Sequence, residues 1–190
     1  KTEIQGHAPG VKGRPIELVT LDDAGRTQEA GTAVTRLITV HHVKAIIGEV
    51  ASTRSKAGGA VAQKYRVPMI SPSSTNESVT QIGNMISRVC FIDGFQGYVV
   101  ARFARDNLKA SRVGILYDQT QAYSKGLATE FNHAFRALGG TITASEAYSG
   151  GDASMSAQLQ SLKDTNPQAI FVPGYYTDIG QIAIQARDLG

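Results

Sequence analysis

Five short stretches hold the side chains best suited to chemistry: Ser52-Thr53, Ser73-Ser74-Thr75, Asp93, Tyr123 and Tyr175. Short hydroxyl side chains beside free backbone N–H groups at a helix start can hold a carboxylate, and the helix dipole adds to the attraction. Asp93 supplies a single carboxylate, the natural partner of an ammonium group. Tyr123 and Tyr175 offer apolar ring area with a hydroxyl handle and can cover a small ligand. Anion site, cation site and aromatic cover are together complementary to a zwitterion. Each part also has a structural explanation. Ser52, Thr53 and Asp93 suit helix N-caps, the Ser73–Thr75 stretch after Pro72 suits a turn, and tyrosines often simply pack.

Those residues need elements to position them, and the chain alternates strand and helix almost without interruption. Hydrophobic periodicity predicts strands at Ile16–Leu21, Val43–Ile47, Val67–Ile70, Ser87–Phe91, Arg112–Tyr117, Thr141–Ala147 and Ala169–Val172. Between them it predicts helices from about Thr27, over Ser52–Lys64, Gly94–Leu108, Tyr123–Leu138, Ser154–Lys163 and Thr177–Leu189, with Gly139-Gly140 as a helix stop. Strands separated by helices of this length call for parallel βαβ units, so the fold class is α/β. Open α/β sheets bind ligands beyond the carboxyl ends of their strands. All five stretches fall on that edge.

Composition narrows the function classes. The chain has 190 residues, 42% hydrophobic and 18% charged, a globular balance long enough to bury a core. Its net charge of +3 is spread thinly with no Lys/Arg cluster, which argues against nucleic acid as a partner. Its longest apolar runs, such as Ala169–Val172, fall far short of the ~20 residues of a membrane helix. The single cysteine, Cys90, excludes an intrachain disulfide and is expected to be a small buried hydrophobe. There is no phosphate loop, no dinucleotide turn and no nucleophile elbow, and His7, His41, His42 and His133 have no metal-site spacing. No catalytic residue, metal or cofactor is expected. Lys1–Gln5 is polar and carries no signal-peptide core, as in a mature, processed chain.

Several motifs resemble one family. Gly13–Val19 followed by Asp22-Asp23, Ala45–Ser52, Val67–Asn76, and Gly174-Tyr175-Tyr176 with Gln185-Ala186-Arg187 look like the strands and ligand loops of type 1 periplasmic binding proteins. The similarity is greatest to the Leu/Ile/Val-binding subunits of branched-chain amino acid ABC transporters. The resemblance implies a two-lobed fold, parallel sheets flanked by helices, that closes on a free amino acid or related small carboxylate or amide and serves a membrane permease. It implies a periplasmic or cell-surface location. It also implies that Ser52 and the Ser73, Ser74, Thr75 loop take the α-carboxylate, that Asp93 lies near the α-ammonium, and that Tyr123 and Tyr175 flank the ligand from the second lobe.

On this comparison residues 1–108 make most of the first lobe and 109–190 part of the second. Lys1–Gly10 is then the tail of a helix plus a loop. The family carries a strand before Gly13 and further elements after Gly190, so the chain resembles an internal piece of the fold with two unpaired strand edges. Two other classes compete: a ligand-sensing domain of a receptor or transcription regulator with the same fold, and an enzyme of doubly wound fold, the weakest for want of a reactive constellation.

Overall fold

The computed structural model describes residues 14–190. Lys1–Gly10 lies outside the described residues. Six helices can be labelled α1 (Thr27–Thr39), α2 (Ser52–Tyr65), α3 (Asp93–Asp106), α4 (Ala122–Ala137), α5 (Ser156–Asp164) and α6 (Tyr176–Asp188). The strands are β1 (Ile46–Ile47), β2 (Met69–Ser71), β3 (Ile86–Arg88), β4 (Arg112–Asp118), β5 (Thr141–Tyr148) and β6 (Ala169–Phe171). They form two separate parallel sheets, ordered β1-β2-β3 and β5-β4-β6.

In the first sheet Ile46 sits opposite Met69, and Met69 opposite Ile86. These three side chains meet Val34 of α1 and Ala62 of α2 in one core. Helix α2 can lie this close because its inner face is small: Ser55, Gly58, Gly59 and Ala62 are all buried. A Cβ on Gly58 would stand 2.9 Å from Val34 Cγ2, which makes glycine a packing requirement there.

The second sheet is covered on both faces. Val113 and Ile115 of β4 point into a core with Phe131 and Phe135 of α4, while Leu116 points the other way, toward Leu159 and Leu162 of α5 and Ile182 of α6. This is the alternation that a strand's period of two dictates. Ala101 and Ala104 of α3 also belong to the Phe131 core. Helix α3 therefore packs with the second sheet, although it follows the first sheet's last strand. Strand–helix order alone does not say which sheet a crossover helix covers.

Several expectations need correction. Ile16–Leu21 forms no strand: it has no sheet partner among the described residues, and a strand exists only through its neighbour's hydrogen bonds. Ile16 and Leu18 are exposed accordingly. The strand expected over Ser87–Phe91 is Ile86–Arg88, because after a last bond from Val89 N–H to the Ser71 carbonyl the chain bends away toward α3. Cys90 lies in that crossover and is half-buried, not enclosed in a core. A 3-10 helix at Glu77–Ile82 was not expected; Asn76 Oδ1 caps it by accepting from Ser78 N–H. No helix among the described residues is long and apolar enough to cross a membrane.

Candidate functional site

The polar loops at the carboxyl ends of the strands converge where the two sheets face each other. On the first side, the Glu49 carbonyl accepts from the hydroxyls of Ser55 (2.9 Å), Ser71 (2.8 Å) and Ser74 (3.0 Å). Ser55, Ser71 and Ser74 are fully enclosed. Their hydroxyls bind the β1 and β2 loops together, so the Ser74 side chain is structural. Ser73 is exposed, and its hydroxyl makes only a 3.4 Å contact with the Val50 carbonyl.

Ser52 and Thr75 are both buried, and their hydroxyl protons point to different uses. Ser52 Oγ accepts from Asn76 N–H at 3.2 Å. Its own proton has no partner among the described residues and is available to an anion. The Thr75 hydroxyl donates to Asp93 Oδ1 at 2.6 Å. Its oxygen keeps acceptor capacity, polarised by the carboxylate behind it. Asp93 is 2% exposed, and its second oxygen accepts from Asn76 Nδ2 at 3.0 Å. Burial raises the Asp93 pKa; the hydrogen bonds from Thr75 and Asn76 and the nearby Arg88 charge oppose this in part, and Glu130 adds to it.

Arg88 is a site residue that the motif reading missed. From the end of β3 its guanidinium donates to the Ser74 and Asn76 carbonyls (2.7 and 2.8 Å), the Glu77 carbonyl (3.0 Å) and Thr80 Oγ1 (2.9 Å). It holds the Ser74–Glu77 backbone from behind. A lone arginine at the end of a short strand looks like surface charge in sequence, so no signal marked it.

The second sheet brings the tyrosines. Tyr123 and Tyr175 lie with ring centroids 5.5 Å apart, and the Tyr123 hydroxyl accepts from Gln96 Nε2 at 3.2 Å. Burial pushes the Tyr175 pKa up to about 12; Arg54 opposes the shift, while Tyr123, Glu49 and Asp118 add to it. Tyr175 is thus within electrostatic range of Arg54 and Glu49 on the opposite side. Arg54 Nε stands 3.0 Å from Glu49 Oε2 and 3.8 Å from Asp23 Oδ2, as ion pairs without hydrogen-bond alignment. Asp118, at the end of β4, spends Oδ1 on Thr120 and on Gly150 N–H, tying its own turn to the loop after β5.

The structure therefore gathers Ser52, Thr75, Asp93, Tyr123 and Tyr175 around the meeting of the two sheets, leaves Ser73 at the rim, and uses Ser74 internally. A hollow of about 520 Å³ beside this region is lined by Thr53, Lys56, Asn76, Thr120, Lys125 and others, but by none of those seven residues. It is open to solvent and lined mainly by polar side chains. The convergence of hydroxyls, carboxylate and rings makes their meeting place, not this hollow, the candidate site.

Two parallel sheets meeting at their ligand edges define a solute-binding architecture, and comparison with known proteins agrees. The chain belongs to the periplasmic binding protein family, whose model matches residues 5–190. A leucine-, isoleucine-, valine-, threonine- and alanine-binding protein of Pseudomonas aeruginosa is 30% identical over 184 residues, covering 96% of this chain and 49% of its own length. The leucine-binding protein of Thermotoga maritima has a TM-score of 0.93 at 45% identity, covering 98% of this chain and 53% of that one. A branched-chain amino acid transporter substrate-binding protein of Streptococcus pneumoniae, solved with isoleucine, gives 0.85 at 35%, covering 95% and 51%. The chain spans about half the length of these relatives.

Proposed function

We propose that the protein of which this sequence is part binds a branched-chain amino acid between two units and hands it to the membrane permease of an ABC transporter. It works outside the cytoplasm and performs no catalysis. The observation that carries the reading is the opposed use of two buried hydroxyls, Ser52 with a proton to give and Thr75 with an oxygen to offer. A free amino acid needs both, a donor for its carboxylate and an acceptor for its ammonium. The Thr75 backbone N–H joins Ser52 on the carboxylate, while the Ser74 N–H is spent on Ser71 Oγ at 2.9 Å. Asp93, at the start of α3 on the other unit, acts on the ammonium through Thr75, and Tyr123 and Tyr175 close over the ligand from that same unit. Ser74 supports the loop.

The crossover between Arg88 and Asp93 is the natural division between the units, since α3 packs with the second core. On this reading the boundary falls before α3, an alternative to the division at residues 108 and 109. The relatives named for leucine, isoleucine and valine support the ligand class.

The test is a pair of variants in the full-length protein. Thr75→Val removes the acceptor and keeps the shape, and should weaken leucine binding about tenfold or more, the value of a hydrogen bond to a charged group. Thr75→Ser should bind as the parent does. Calorimetry showing equal affinity for Thr75→Val and the parent would overturn the assignment.

A further inference from the structure

We propose that the Ala122 peptide is a latch, gripped on both sides by Thr53 and Asn76, and that these two residues, outside the ligand contacts, set how long the cleft stays closed. The proposal rests on the two-unit reading of the cleft. Ala122 is the first residue of α4, where backbone N–H groups have no partner within the helix. Gln121, the residue before it, supplies no side-chain cap. The cap comes instead from the other unit: Ala122 N–H donates to Thr53 Oγ1 at 2.8 Å. On the other side of the residue, Asn76 Nδ2 donates to the Ala122 carbonyl at 2.9 Å.

The Asn76 carboxamide is fixed for this task. Its Oδ1 accepts from Ser78 N–H at 3.2 Å within its own unit, and its Nδ2 also donates across the units to Asp93 Oδ2 at 3.0 Å, at the start of α3. One turn along α4, a Cβ on Gly126 would collide with Asn76 Nδ2 and Asp93 Oδ2, so the close approach of the units requires glycine there. Both grips join the first sheet's side, Thr53 in the first turn of α2 and Asn76 in the loop after β2, to a helix of the second sheet. They exist only while the units meet at this angle, and a contact confined to the closed arrangement shifts population toward it and slows ligand escape.

The test uses the full-length protein with a fluorescent donor on one unit and an acceptor on the other, read first without ligand and then with leucine. Thr53→Val keeps the shape and removes the acceptor. It should lower the closed fraction of the ligand-free protein and speed leucine dissociation about three- to tenfold, the worth of one lost hydrogen bond, while leaving association nearly unchanged. Thr53→Ser restores the acceptor and should restore both readings. Asn76→Ala, removing the second grip, should act in the same direction as Thr53→Val. Parental closed fraction and dissociation rate in both Thr53→Val and Asn76→Ala would overturn the proposal, as would Thr53→Ser behaving like Thr53→Val. If no amino acid binds the parent, the functional reading fails, and the ligand-free closed fraction still decides the latch.

Discussion

Asp93 shows how one buried carboxylate can serve both stability and recognition. Its raised pKa means that the folded protein keeps the proton at a pH where the unfolded chain, near the ordinary value of 3.8, has released it. Stability from this group is thus fully present below that ordinary value and is lost as pH rises through the folded one. Asp93→Asn removes the titration. The stability difference between variant and parent, measured by denaturant unfolding, should move in the variant's favour as pH rises from about 4 toward neutrality. A difference independent of pH would contradict the burial argument. The same variant should weaken amino-acid binding, because an Asn amide N–H beside Thr75 claims the oxygen that the ammonium needs. Side-chain types told part of this story in advance. Short hydroxyls and a carboxylate at strand ends signalled a zwitterion site, but the direction of each proton did not show, since it depends on partners such as Asn76 and on the Arg88 scaffold behind the loop.

At the scale of elements, helix–helix approach is governed by single glycines. A Cβ on Gly97 of α3 would stand 2.7 Å from Phe131 N and 2.8 Å from Glu130 C, both backbone atoms of α4 that cannot step aside. Gly97→Ala should therefore cost about 1–3 kcal/mol, through overpacking. Gly180 of α6 has nothing within 4 Å of the same position, so Gly180→Ala should be neutral or stabilising by up to about 1 kcal/mol. Urea midpoints of the two variants check the pair, and equal midpoints would contradict the close α3–α4 packing. The helices and most strands were legible from periodicity, because α4 and β4 bury regular apolar positions. Ile16–Leu21 misled, since an alternating pattern indicates strand character but cannot supply the neighbouring strand. The placement of α3 was also hidden: its buried face is made of Gly97, Ala101 and Ala104, which suit either sheet equally.

The whole molecule is two sheets with separate cores, tied by the crossover into α3 and by polar contacts at their facing edges. The hydrogen bonds that join the two sides there exchange readily with water, as an arrangement that opens and closes requires. Tyr175 remains a neutral phenol at physiological pH, with its pKa near 12, and so can give a hydrogen bond when the units meet. The measurement that tests the account most directly is calorimetry of the full-length protein and its Ser52→Ala variant with leucine, isoleucine and valine. The account predicts one-to-one binding of at least one of them to the parent, weakened about 10- to 150-fold in the variant, the range for a hydrogen bond to a charged group. No heat from any of the three, or parental affinity in Ser52→Ala, would contradict it.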